Sequence, residues 1–213
     1  MKFVKNTIYL VAIALFISSC AKGKDGAAIK SYSNDKIKID VRKHLNGNLS
    51  GFGIWKNKDG VVTKRFTIDV NGSWEGNKGV IKEVLSFDDN SKDSRTWLFS
   101  MNDENSFEAI GHGIVGTGKG EQYGGALEMS YVMSMMVNGK KQNFVVDDWT
   151  YMVNDKSLIS VIILKSSGSF GSGSNEGKII ISLKKSDNIS DSKSDNAKNS
   201  AKSLDKNIEE KAN

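Results

Sequence analysis

The sequence predicts an all-β domain, an antiparallel up-and-down β-barrel of about nine or ten strands. Three observations point there. Apolar and polar residues alternate in run after run between Lys36 and about Lys185, the period of a strand with one face buried. Short clusters of Gly, Asn, Asp and Ser join the runs, which is the chemistry of tight turns. No stretch has the apolar spacing of an amphipathic helix of useful length. A meander of hairpins leaves exposed edges unless it closes, so a barrel is favoured over a sandwich.

The first strand ends near Trp55, and Asn57-Lys58-Asp59-Gly60 turns the chain. In the next run Val62, Phe66, Ile68 and Val70 share one face, while Thr63, Arg65, Thr67 and Asp69 share the other. Val80 to Phe87 alternates again, with Ile81, Leu85 and Phe87 together. Asp88 to Lys92 turns into SRTWLFSM, where Trp97, Phe99 and Met101 fall on one side. The run GHGIVGTGKGEQYGG leads into LEMSYVMSMMV, which alternates as a strand, so its glycines mark a bulge or bend rather than a phosphate-cradling loop. Asn138-Gly139 is the sharpest turn signal, a two-residue hairpin whose members accept positive φ. SLISVIILK and GKIIISLKK supply the last strands.

The hairpin sets a register. If Val137 pairs with Lys140, Met133 faces Phe144, Tyr131 faces Val146 and Met129 faces Asp148. Directly opposed residues share a face, so Asp148 points to the Met-rich interior, while Asp147 and Trp149 point out opposite Ser130 and Glu128. Glu83 alternates with Ile81, Leu85 and Phe87, and Arg95 with Trp97 and Phe99. Three ionisable side chains therefore aim at an apolar interior. Unpaired buried charge is costly, so they must pair, bind water or line a cavity. Three readings stay open: a polar network that fixes register, a cavity whose polar floor orients an amphiphilic ligand, and a Glu83/Asp148 acid–base pair. The candidate ligand-binding residues are Glu83, Arg95, Trp97, Tyr131 and Asp148.

Outside the domain the chain changes character. Lys2 and Lys5 precede a short apolar core, Thr7 to Phe16, too short to span a bilayer. Ile17-Ser18-Ser19-Cys20 follows, an aliphatic residue, two small ones and cysteine, and resembles the lipobox of bacterial lipoproteins. The resemblance implies cleavage after residue 19, a diacylglyceryl group on the Cys20 thiol and usually an acylated new amino terminus. Two or more acyl chains anchor durably where one does not. Ala21, rather than Asp, after the cysteine implies the outer membrane, facing the periplasm. The resulting division is a signal peptide over 1–19, the lipidated cysteine and flexible tether over 20–35, the barrel over 36–185 and a polar, disordered tail over 186–213.

Composition narrows the function classes. The chain has 213 residues and a formal charge of +5, falling to +3 once Lys2 and Lys5 leave, which is no footprint for nucleic acid. With its single cysteine lipidated, the mature chain has neither disulfide nor thiolate site, and His44 and His112 stand far apart. No nucleophile motif or metal spacing accompanies the carboxylates. Neither cofactor nor catalytic residue is assigned, and the oligomeric state is open. The expected partners are the membrane, through the anchor, and a small apolar or lipid-like ligand.

Gly53-Ile54-Trp55 on an early strand resembles the Gly-x-Trp of the calycin superfamily, the lipocalin-like barrels. A longer likeness runs over residues 45–183. Its marks are Arg65-Phe66, Gly72-Ser73-Trp74-x-Gly76, Glu83, Arg95-x-Trp97, the stretch from Val115-Gly116-Thr117 to Tyr123-Gly124, and Asp147-Asp148-Trp149. These resemble the proteobacterial lipoproteins catalogued as domain of unknown function 3833, with Asp89-Asn90 where Asp-Gly is usual. The resemblance implies a lipocalin-like barrel in the cell envelope and no particular reaction. A haem-binding relative would need an axial histidine on a late strand, and the chain has none after His112.

Overall fold

The computed structural model describes residues 28–137, 139–167 and 175–186. Cys20 and the signal segment, the tether up to residue 27, Asn138, the Gly/Ser-rich stretch 168–174 and the tail from 187 lie outside the described residues.

Ten strands form one closed antiparallel barrel. They are β1 (Gly47–Asn57), β2 (Val62–Glu75), β3 (Lys78–Phe87), β4 (Lys92–Met101), β5 (Ser106–Gly111), β6 (Ile114–Tyr123), β7 (Ala126–Val137), β8 (Lys140–Asn154), β9 (Ser157–Ser166) and β10 (Asn175–Lys185). Each pairs with its neighbours in sequence, and β1 closes on β10 from Leu49 opposite Lys185 to Asn57 opposite Gly177. Alternation sets the inside: on β2, Phe66, Ile68 and Val70 are buried while Thr67, Asp69 and Asn71 face solvent. The turn at Asn57 is held by its Oδ1, which accepts from the backbone N–H of Asp59 and of Val61 at 3.1 and 3.0 Å. Asn90 takes a φ of 65°, a left-handed conformation that asparagine tolerates better than most residues.

One end of the barrel is capped. The chain before β1 crosses it with a single helical turn, α1 (Val41–His44), whose N-terminus is capped by Asp40 accepting from Arg42 N–H at 2.9 Å. Ile39 and Val41 join the core and Leu45 packs against it. The cap sits so close that a β-carbon on Gly72 would lie 1.6 Å from the Leu45 carbonyl oxygen. Gln122 ties the cap down: its Oε1 accepts from Val41 N–H at 2.9 Å, and its Nε2 donates to the Glu104 carbonyl at 2.7 Å. Among the described residues the opposite end, with the turns after β1, β3 and β5, holds a wide cup, called the mouth.

The expected tether runs too far. Residues 28–35 belong to the fold, because Ile29–Tyr32 forms a 3-10 turn strapped across the outside of the barrel. Ile29, only 5% exposed, packs with Ala126 and Trp149, and Tyr32 meets the rings of Trp149 and Tyr151 at 6.2 and 5.9 Å. Trp149 does point outward as its register requires, yet it is buried. An indole and a phenol side by side on the outer face supply the apolar area that draws the strap down.

The wall is uneven. β7 and β8 pair over twelve residue pairs, whereas β5 meets β4 over five and β6 over four. β5 stops at Gly111, opposite Trp97, so β4 from Lys92 to Thr96 is paired on the β3 side alone. The Gly-rich run forms β6, whose register slips between Val115 and Lys119, with Gly116 at a φ of 75°. It is a bulged strand.

Candidate ligand-binding site

The hairpin register holds as reasoned: Val137 pairs with Lys140, Tyr131 with Val146 and Met129 with Asp148. Glu83 lies directly opposite Arg95 on β3 and β4, and Trp97 follows two residues on. β3 and β4 on one side and β7 and β8 on the other bring Glu83, Arg95, Trp97, Tyr131 and Asp148 to one interior chamber of about 100 Å³. The Trp97 and Tyr131 rings meet edge to face across it, 5.2 Å apart. A chamber of this size admits several waters or the tip of a ligand, but not a whole drug-sized molecule, whose pockets run to roughly 300–1,000 Å³.

The polar groups are unequally served. Arg95 forks onto Asp93, with Nη2 at 3.1 Å and Nε at 3.3 Å from Oδ2, and not onto Glu83. Glu83 receives the Trp97 indole N–H instead. Asp148 Oδ1 is buried with no hydrogen-bond partner among the described residues. Burial therefore dominates its titration: it pushes the Asp148 carboxyl up to about 7, the Glu83 charge pushes the same way, and Arg95 only partly offsets them. Burial raises Glu83 as well, against the pull of Arg95 and the Trp97 hydrogen bond. The Tyr131 phenol is driven well above its usual value by burial and then by Asp148.

Two further residues complete the floor. Thr150 and Ser160 stand opposite each other on β8 and β9, are buried, and share a hydrogen bond of 2.7 Å. Thr150 follows Asp148 by two residues and so faces the same way, a signal available once Asp148 is placed inside. His44 lies in the cap, with its Nδ1 3.0 Å from the Asp40 backbone nitrogen, and His112 lies at the rim of the mouth. Neither lines the chamber. Among the described residues no group of three or more His, Cys, Asp or Glu is placed to hold a metal ion.

The chamber meets the mouth at Trp55 and Arg95, which belong to both walls. Trp55, the tryptophan of the Gly-x-Trp, thus sits towards the open end, while Val41 and Leu45 close the other. The mouth is a cup of about 1160 Å³ with Phe87, Met133, Met135, Phe144 and Leu164 among its apolar lining.

A family model matches residues 14–185 of the chain, under the description "Protein of unknown function (DUF3833)". The chain belongs to the DUF3833 family. No curated protein matches this DUF3833 chain. Among solved structures it resembles the S-type phycobiliprotein lyase CPES from Guillardia theta, at a TM-score of 0.52 and 10% identity, over 76% of this chain and 99% of that one. It also resembles Rv2717c from M. tuberculosis, at 0.51 and 13% identity, over 67% of this chain and 93% of that one. At such identities the likeness establishes the lipocalin-like barrel and leaves the site to be argued from its own residues.

Proposed function

We propose that this DUF3833 protein is a lipid-anchored barrel of the cell envelope, held by Cys20 at the outer membrane and facing the periplasm, that binds a small amphiphilic molecule. The apolar body of the ligand occupies the mouth, where methionine and aromatic side chains give an adaptable wall, and its polar end reaches the chamber. One observation carries this reading: a buried carboxylate oxygen, Asp148 Oδ1, has no partner among the described residues in a largely apolar chamber, and that chamber adjoins, at Trp55 and Arg95, a wider cup of mixed polar and apolar lining. Native proteins rarely leave such an acceptor unmet, and a bound water, ion or ligand group is what such an oxygen ordinarily meets. An acid–base enzyme is less well supported, since burial moves Glu83 and Asp148 in the same direction rather than apart.

Two measurements test the two halves. Metabolic labelling with palmitate should mark the wild type and not Cys20→Ser; equal labelling would remove the anchor. The chain from residue 21 onward, purified natively and extracted, should release a small amphiphile detectable by mass spectrometry. An empty barrel whose melting is unmoved by a lipid panel would leave only the alternative of a structural envelope lipoprotein.

A further inference from the structure

The chamber's unmet chemistry is one-sided. Of the groups that line it, Glu83 from β3, Arg95 from β4, Tyr131 from β7 and Asp148 from β8 are the ionisable ones. Arg95 already has its counter-charge in Asp93, at 3.1 Å. Thr150 and Ser160 satisfy each other. That leaves two carboxyls, Glu83 beside the Trp97 indole and Asp148 with an orphaned oxygen, in a chamber that the rings of Trp97 and Tyr131 also line. Carboxylates beside aromatic rings form a setting for a cation, which gains both from charge-assisted hydrogen bonds and from the ring quadrupoles. A carboxylate or phosphate head would instead meet two like charges, and would have to draw Arg95 away from Asp93.

We infer that the ligand is a cationic amphiphile, whose primary amine or similar small ammonium head donates to Asp148 and Glu83 while its apolar tail passes Trp55 into the mouth. This rests on the ligand-binding reading above and names the chemical class of that ligand. The dimensions agree: an ammonium head is close to a water molecule in size and suits a chamber of about 100 Å³, and the tail has the larger cup. The titration agrees in direction. Asp148 ionises near 7 without a ligand, so a cation that needs the carboxylate binds more tightly as pH rises through that value and releases protons when it binds below it. Tyr131 stays neutral throughout that range.

The test compares three probes with one tail: decylamine, decanol and decanoate, each kept below its micellar concentration. The chain from residue 21 to 213 is suitable, because residues 28–186 contain strap, cap and closed barrel. Calorimetry should show decylamine binding at least about tenfold tighter than the other two at about pH 8, and weakening towards about pH 6. Asp148→Asn should weaken decylamine by about tenfold or more and leave decanol unchanged, and Glu83→Gln should act in the same direction should the first variant not fold. Decanol or decanoate binding as well as decylamine would overturn the cationic head and leave the cavity reading standing. Binding of none of the three would overturn both.

Discussion

Gln122 under the cap and Asp148 in the chamber are both polar side chains enclosed by apolar walls, and they differ in what meets them. Gln122 is 4% exposed and has a partner at each end of its amide, Val41 on one side and Glu104 on the other. It converts the loose chain before β1 into part of the barrel. Asp148 has Glu83 and Arg95 nearby, yet an oxygen left over. An unsatisfied buried acceptor costs about 1–3 kcal/mol, and more when charged. The capped end is built for closure, and the chamber keeps a cost that stability alone would remove.

Substitution at Asp148 should break that contrast most. Its carboxyl ionises at about 7 in the folded state against an ordinary 3.8, so the stability it contributes is complete below about pH 4 and is lost as pH rises through about 7. The span is worth up to about 4 kcal/mol. Asp148→Asn should therefore melt higher than wild type at about pH 8, match it at about pH 4, and show a flatter stability profile in denaturant titrations at several pH values. A destabilising Asp148→Asn at high pH would mean that the carboxylate is fully satisfied. Gln122→Ala should do the reverse: it strips partners from the Val41 N–H and the Glu104 carbonyl, and should cost about 1–3 kcal/mol, independent of pH, in the same titrations. A neutral result would show that the cap does not depend on that amide.

Much of the chamber was legible because strands translate sequence parity into direction. Asn138-Gly139 fixed where Val137 meets Lys140, and one pairing placed Asp148 inside and Trp149 outside. Alternation alone placed Glu83 and Arg95. Parity says which face a side chain takes and nothing about which neighbour it grips, so the preference of Arg95 for Asp93, two residues away on its own strand, was not visible. The strap was missed for a different reason. Ile29–Tyr32 is one turn long, too short to show a period, and what holds it is Trp149 and Tyr151, more than a hundred residues later. Gln122 lay hidden in a Gly-rich run whose register depends on a bulge.

The short β5 has a consequence for how the molecule moves. Its few cross-strand pairs make it the cheapest place to part the wall, and local opening follows the weakest set of backbone hydrogen bonds. Amide hydrogens of β5 should exchange with deuterium through a partial opening, at a lower free energy than those of β7 and β8, which should exchange only on global unfolding. Uniform protection around the barrel would refute this. β4, which carries Arg95 and Trp97, lies along that seam. The chamber's enclosure would then be a matter of lifetime, set by how often β5 lets go of its neighbour.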